Sequence, residues 1–91
     1  SDALAAFPGG VGTLDELFEV LTLMQTGKTD IMPVVLVEGK GGIYWKHWED
    51  YLKHHLLKNG WISEDDLHLY YIAKSPQDAV DHILHFYKRF H

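Results

Sequence analysis

Short, continuous apolar runs alternate along the chain with longer stretches in which apolar residues recur every three or four positions. The continuous runs are typical of strands in a parallel sheet, which are buried on both faces. They cover Ala3 to Phe7, Pro33 to Glu38 and Leu67 to Ala73. The periodic stretches predict helices, because residues three or four apart share one face of a helix. They cover Leu14 to Thr26, Ile43 to Lys58 and Gln77 to Phe90.

The resulting order, β-α-β-α-β-α, predicts an α/β fold. Right-handed crossovers would make it half of a doubly wound parallel sheet. Three parallel strands alone leave apolar faces and an edge uncovered. We therefore expect residues 1–91 to form one partial domain, completed by a missing N-terminal part, a partner subunit, or both. The last helix is expected to turn four apolar side chains inward, namely Val80, Ile83, Leu84 and Tyr87.

Capping residues delimit the predicted helices. Thr13 is the predicted N-cap of the first helix, with Glu16 three residues later at the capping-box spacing. Gly27 is the predicted C′ residue of the same helix. Ser75 is the predicted N-cap of the last helix, and Pro76 is its predicted first residue. Between the second helix and the third strand, Ser63 to Asp66 predicts a short capped turn.

The charge balance narrows the possible partners. The 91 residues carry 13 acidic and 8 basic side chains, a formal net charge of −5, which argues against nucleic-acid binding. The single arginine is Arg89, near the C-terminus. The chain has no cysteine, so it has no disulfide and no thiolate zinc site. No signal peptide and no apolar run of about 18 residues is present, so we expect no membrane association and a cytoplasmic protein.

The stretch from Pro8 to Thr13 contains three glycines and connects the first predicted strand to the first predicted helix. Such a turn lets the backbone come close to a phosphate, and the N–H groups of the first helical turn face the anion. It is not a Walker A loop, because no Gly-Lys-Ser/Thr follows. It is not a complete G-x-G-x-x-G motif either, because Asp15 occupies the last glycine position. The alternative to a phosphate site is a tight turn that needs glycine dihedrals.

Glu16 is the first candidate for chemistry. The polar side chains of the first helix form one stripe, which includes Asp15 and Glu19, and Glu16 falls outside that stripe. One interpretation is structural, a capping-box carboxylate bonded to the Thr13 N–H. The other is functional, a general base or a carboxylate that stabilises positive charge beside a phosphorylated ligand. Because a phosphate repels a carboxylate, the functional interpretation requires Glu16 to face another part of the ligand, such as a sugar.

The histidines, the second glycine-rich turn and the aromatic residues give weaker indications of function. The histidine pairs His54-His55 and His82/His85 lack the three or four convergent ligands that a metal site needs, so we predict no metal. The turn from Gly39 to Gly42 either contacts a ligand or partner or is a plain turn, and an exposed lysine in a glycine-rich loop does not favour Schiff-base chemistry. The aromatic group formed by Tyr44, Trp45 and Trp48 is interpreted as core or subunit interface, with ligand stacking as the alternative.

The nine residues from Pro8 to Glu16, Pro-Gly-Gly-Val-Gly-Thr-Leu-Asp-Glu, match the P-G-G-x-G-T-x-x-E signature of the LOG (LONELY GUY) family. These proteins are cytokinin riboside 5′-monophosphate phosphoribohydrolases, formerly described as lysine decarboxylase-like. The resemblance covers nearly the whole chain. It extends to Leu17 to Thr22, Gln25 to Lys28, Pro33 to Val37, Tyr44-Trp45 and Ile62-Ser63.

The resemblance implies a Rossmann-like fold, a homodimer or larger oligomer, and a hydrolase without a cofactor. Its substrate would be a nucleoside 5′-monophosphate, such as AMP or a cytokinin riboside monophosphate, and its products a free base and ribose 5-phosphate. Glu16 matches the family's catalytic glutamate, and a carboxylate suits the oxocarbenium-like state of ribosyl cleavage. The residues that match the family's phosphate-binding loop are Gly9, Gly10, Val11, Gly12 and Thr13.

The chain departs from the family pattern in one respect. The family's catalytic arginine, the lysine after it and the first glycine-rich nucleotide loop all lie upstream of the signature, and none of them is present. Arg89 is in the wrong place to substitute. We therefore expect the chain to be the C-terminal half of a LOG-like enzyme and to be nearly inactive alone. The alternatives are a non-catalytic nucleotide-binding module and an amino-acid decarboxylase with pyridoxal phosphate on a lysine.

Overall fold

The computed structural model describes residues 3–90 and confirms the predicted order of strands and helices. The strands are β1 (Leu4–Ala6), β2 (Val34–Val37) and β3 (Tyr71–Ala73). The α-helices are α1 (Val11–Gln25), α2 (Tyr44–Tyr51) and α3 (Pro76–Phe90). A π-helix (Leu52–Leu57) continues α2, and a 3₁₀-helix (Glu64–His68) precedes β3. Within residues 3–90, no helix combines the length and the apolar character that crossing a membrane requires.

The three strands form one parallel sheet with β2 in the centre. Leu4 of β1 lies opposite Val34, and Val35 lies opposite Tyr71 of β3. All four residues of β2 are buried, as its unbroken apolar run predicts for a strand covered on both faces. Among the described strands β1 pairs with β2 alone, so the other edge of β1 is uncovered.

Helices cover both faces of the sheet, which confirms an α/β fold of the kind expected for part of a Rossmann-like domain. Side chains alternate between the two faces of β2. Val34 and Leu36 pack against α1, α2 and the π-helix, where Trp45 is fully buried. Val35 faces the other way and packs with Ala79 of α3. The larger part of the core therefore lies on the α1–α2 side of the sheet.

The structure corrects the predicted start of α1. The helix begins at Val11, and Gly10 is its N-cap residue, with φ −95° and ψ −157°. Thr13 therefore lies inside the first turn, and it does not form the predicted capping box with Glu16. Glycine is an acceptable N-cap residue. The Gly10 carbonyl accepts the first helical hydrogen bond from Leu14 (3.3 Å), so the helix starts before the threonine is reached.

The predicted strand from Leu67 to Ala73 is wrong in its first half, because β3 begins at Tyr71. The preceding residues belong to the 3₁₀-helix and the turn after it. The capped turn predicted from Ser63 to Asp66 is confirmed at the start of the 3₁₀-helix, since the Asp66 carboxylate accepts the Ser63 N–H (2.9 Å). Such local side-chain bonds offer the backbone an alternative to the sheet, which an apolar run does not reveal.

The second predicted helix changes from α- to π-helical geometry at Leu52, although its periodicity predicts one helix up to Lys58. The imidazole of His54 lies 2.8 Å from the carbonyl oxygen of Asp50, the acceptor that the His54 N–H would use in an α-helix. One face of the helix is nevertheless buried across this change, because Trp45, Trp48 and Leu52 are all buried.

The other predicted helix ends are confirmed. Gly27 follows α1 with a left-handed φ of 73° and donates to the Met24 carbonyl (3.1 Å), as a C′ glycine does. The Ser75 hydroxyl accepts the Asp78 N–H (3.1 Å), and α3 begins at Pro76. These bonds satisfy backbone groups that the helix itself leaves without partners.

The inward face of α3 is only partly as predicted. Ala79 is buried and Ile83 is partly buried against the sheet. Val80 and Leu84, predicted to face inward, are 48% and 62% exposed. The helix covers β2 and β3 with a narrow stripe, and no described element covers the neighbouring apolar residues.

Candidate active site

The first two turns of α1 and the strand before them border an open cleft of about 280 Å³. The backbone from Leu4 to Pro8 forms one wall, and Thr13, Glu16 and Leu17 form the other. The cleft lies against β1, which together with β3 is an edge strand of the described sheet. It brings the end of the glycine-rich loop and the candidate carboxylate to one place.

Glu16 is exposed in this cleft. Its carboxylate forms no hydrogen bond or ion pair with any of residues 3–90, since Thr13 is not an N-cap and no side chain caps α1. The structural interpretation of Glu16 as a capping residue is therefore wrong. Its carboxylate is available to a ligand.

The N-terminus of α1 has the features of an anion site. Its first backbone hydrogen bond is donated by Leu14, so the N–H groups of Val11, Gly12 and Thr13 have no acceptor among the described residues. No acidic residue lies in the first turn. Free N–H groups and the positive end of the helix dipole together favour a bound anion.

The three glycines of the loop are not explained by backbone strain. The described glycines with positive φ are Gly27, Gly41 and Gly60, so the alternative of a turn that needs left-handed dihedrals is wrong for this loop. A Cβ on Gly9 would overlap the Thr13 hydroxyl, which explains that glycine by packing. A Cβ on Gly10 or Gly12 would meet no atom within 4 Å. Those two positions leave open space beside the free N–H groups.

Tyr44 contacts the loop from the next βα unit. Its hydroxyl donates a hydrogen bond of 2.6 Å to the Gly9 carbonyl. Sequence reasoning interpreted Tyr44 as core, interface or stacking residue and missed this contact. A signal was available, because Tyr44 opens the helix that follows the neighbouring strand, and the carboxyl ends of parallel strands meet at one edge of the sheet.

The second glycine-rich turn, from Gly39 to Gly42, is closed by its own backbone. The Gly42 N–H donates to the Gly39 carbonyl (2.9 Å), and Gly41 between them has a φ of 67°. Lys40 is exposed and is not among the described residues that line the cleft. No contact among the described residues therefore assigns a chemical role to Lys40.

The histidines lie elsewhere. No group of three or more His, Asp or Glu side chains within the described part of the chain is placed to hold a metal ion. His82 stacks flat on Tyr71, with ring centres 4.0 Å apart. Burial lowers the pKa of His82 below its ordinary value of 6.5, and the neighbouring His85 lowers it further. Tyr71 in turn donates to the Asp78 carboxylate (3.1 Å), so these groups form a packing cluster under α3.

Arg89 is far from the cleft. It lies in the last turn of α3. Phe86, one turn earlier, lines a pocket with Pro33 and Tyr71 at the amino ends of β2 and β3. The glycine-rich loop follows the carboxyl end of β1, so Arg89 is at the opposite end of the sheet. This agrees with the expectation that Arg89 does not substitute for the family's arginine.

Comparisons with known proteins identify the family of the chain. A family model described as "Possible lysine decarboxylase" matches residues 1–83. Cytokinin riboside 5′-monophosphate phosphoribohydrolase LOG1 of Arabidopsis thaliana is 38% identical over 80 residues, which are 88% of this chain and 36% of the plant protein. Cytokinin riboside 5′-monophosphate phosphoribohydrolase of Mycobacterium tuberculosis is 34% identical over 82 residues, 88% of this chain and 41% of that protein.

The chain thus spans about two-fifths or less of the curated relatives that it matches. The matched region includes the glycine-rich loop, Glu16 and all three strands, because the family model extends from residue 1 to residue 83. On this match, the chain belongs to the LOG family of lysine decarboxylase-like proteins.

Proposed function

We propose that the protein carrying this chain hydrolyses the N-glycosidic bond of a nucleoside 5′-monophosphate. AMP or a cytokinin riboside monophosphate is the substrate, and a free base and ribose 5-phosphate are the products. The observation that carries the proposal is the cleft of about 280 Å³ lined by Thr13, in the uncapped first turn of α1, and by Glu16, which has no partner among the described residues. Two relatives named as cytokinin riboside 5′-monophosphate phosphoribohydrolases support it.

The loop is the proposed site of the 5′-phosphate. The free N–H groups of the first turn of α1 supply donors, and the helix dipole supplies positive potential. Open space at Gly10 and Gly12 allows a phosphate to approach the backbone closely. The proposed phosphate-binding residues are Gly9, Gly10, Val11, Gly12 and Thr13.

Glu16 is the proposed catalytic residue. It lies about one helical turn beyond the free N–H groups and lines the same cleft as Thr13, where a ribose joined to a phosphate at the loop would meet it. Ribosyl cleavage passes through an oxocarbenium-like state, which a nearby carboxylate stabilises. The same carboxylate can orient a water molecule or a ribose hydroxyl during the reaction.

We propose that an N-terminal half and a second copy of the protein complete the site, and that the 91 residues alone turn over little substrate. Two observations support this. Arg89, the single arginine, lies at the opposite end of the sheet from the cleft. The cleft itself lies against the uncovered edge of β1, where a doubly wound sheet would continue and where such folds bind nucleotides. The cysteine-free sequence suits the cytoplasm, where we propose that the enzyme works.

The catalytic role of Glu16 is tested by Glu16→Gln in the full-length protein, with release of adenine from AMP as the readout. We expect kcat to fall at least about 100-fold, because the amide cannot stabilise the developing positive charge. AMP binding should persist, since the phosphate contacts are unchanged. Glu19→Gln, which changes an exposed glutamate on the same helix, is the matched control and should retain wild-type activity. Intact AMP hydrolysis in Glu16→Gln would disprove the assignment.

A non-catalytic nucleotide-binding module is the second candidate. It is favoured by the contrast between a well-formed anion site and the absence of a cationic partner for Glu16 among the described residues. A full-length protein that binds AMP but releases no base from any nucleoside monophosphate would establish it. Amino-acid decarboxylation has less support, because no lysine lines the cleft within residues 3–90. An aldimine absorption band in the purified protein would revive it.

A further inference from the structure

The first turn of α2 is fixed firmly to the end of β2. Trp45 is fully buried, and its indole Nε1 donates to the Val37 carbonyl (3.2 Å). The Glu38 carboxylate oxygen Oε2 accepts the backbone N–H groups of Trp45 (3.0 Å) and Lys46 (3.1 Å). A carboxylate at a helix N-terminus satisfies free donors and the helix dipole together. Tyr44 belongs to this turn, so its backbone is held in a fixed position.

The side chain of Tyr44 extends from this turn to the glycine-rich loop. Its ring packs edge-on against Trp45, with centres 4.7 Å apart, and its hydroxyl donates to the Gly9 carbonyl at 2.6 Å. Within residues 3–90 it supplies the one hydrogen bond that the loop receives from a different βα unit. The contact joins positions 35 residues apart in sequence.

This contact controls a peptide group at the start of α1. The Gly9 carbonyl and the Gly10 N–H belong to one planar, trans peptide, so they point in opposite directions. Holding the carbonyl oxygen of Gly9 on Tyr44 therefore fixes the direction of the N–H at the N-cap. If this peptide turned over, the carbonyl oxygen of Gly9 would replace the Gly10 N–H at the N-cap, next to the free N–H groups of the first turn, and would repel an anion held there.

We infer that Tyr44 is a positioning residue, which holds the Gly9–Gly10 peptide in the orientation that binds the substrate phosphate. The inference rests on the proposed function, because it assumes that the loop binds a phosphate. Tyr44 acts through the loop backbone and needs no contact with the substrate. Its loss should weaken phosphate binding and leave the chemical step at saturation nearly unchanged.

Tyr44→Phe in the full-length protein tests this, because it removes the hydroxyl and keeps the ring. Tyr51→Phe is the matched control: Tyr51 lies on the same helix, is 54% exposed, and its hydroxyl has no partner among the described residues. Three experiments compare the variants: binding of ribose 5-phosphate, which gives Kd; steady-state hydrolysis of AMP, which gives KM and kcat; and NMR relaxation, which gives the backbone order parameters of Gly9 to Gly12.

For Tyr44→Phe we expect Kd and KM to rise about 5- to 10-fold, the size of one lost hydrogen bond. We expect kcat to stay within about twofold, and the order parameters of the loop to fall toward flexible values, below about 0.6. Tyr51→Phe should match the wild type in all three. A purely structural role would lower kcat through the unfolded fraction and leave KM unchanged.

Tyr44→Phe with wild-type Kd, KM and loop order would overturn the inference. A wild-type protein that binds no ribose 5-phosphate and releases no base would instead overturn the proposed function. In that case, a loop that is ordered in Tyr51→Phe and mobile in Tyr44→Phe would still show that Tyr44 positions the loop. The two failures are therefore distinguishable.

Discussion

Neighbouring glycines in the loop have different reasons to be glycine. Gly9 lies so close to the Thr13 hydroxyl that a Cβ would overlap it. Gly10 and Gly12 have neither positive φ nor a close neighbour, so the described residues alone do not require glycine there. Their small size leaves space beside free N–H groups, which is what a phosphate needs.

Gly12→Ala is expected to separate folding from binding. Alanine is the better helix former and meets no atom within 4 Å, so the free energy of unfolding should rise by about 0.5 kcal/mol. The added methyl group occupies the approach to the free N–H groups, so the Kd of ribose 5-phosphate should rise about 10-fold or more. Urea denaturation and calorimetric titration of the full-length protein measure the two effects.

Gly27→Ala is the control for this prediction. It lies at the other end of α1 with a φ of 73°, so alanine should lower the free energy of unfolding by about 1 kcal/mol and leave ligand binding unchanged. Unchanged ribose 5-phosphate binding in Gly12→Ala would mean that no phosphate approaches the loop at this position.

At the scale of single elements, periodicity predicted the order and the type of every strand and α-helix. It failed where local hydrogen bonds decide. The 3₁₀-helix occupies part of the predicted third strand because Asp66 and Ser63 bond to each other. The start of α1 moved toward the N-terminus because Gly10, a residue without a capping side chain, serves as N-cap. Apolar spacing carries no information about either choice.

Of the two predicted N-cap residues, Ser75 is confirmed and Thr13 is wrong, and the stabilities of two mutants can test this difference. Ser75→Ala should lower the free energy of unfolding by about 1 kcal/mol, because the Asp78 N–H loses its acceptor. Thr13→Ala should change it by less than about 0.5 kcal/mol, since Thr13 is a helical residue and alanine is the better helix former. Urea denaturation of both variants measures these changes in the free energy of unfolding. A loss in Thr13→Ala as large as that in Ser75→Ala would contradict the observed start of α1.

At the scale of the whole molecule, we propose that the chain contains one side of a site. The cleft lies against the uncovered edge of β1, and apolar side chains on α3, including Leu84 at 62% exposure, lack a covering element among those described. The signature motif singled out the loop and Glu16 from the sequence, and the structure brings Pro8, Thr13 and Glu16 to one cleft; their roles stay predictions. The Tyr44 contact was not predictable in this way, because it joins distant positions through the packing of two βα units. No cationic side chain among the described residues lines the cleft, so the described residues do not indicate the proposed cationic side of the site.

Incubation of the full-length protein with AMP, with free adenine and ribose 5-phosphate both quantified, is the direct test of the proposed hydrolysis. We expect the two products to appear in equal amounts, while the 91-residue chain alone yields little or none. A full-length protein that binds AMP through the loop but releases neither product would disprove the proposed hydrolysis.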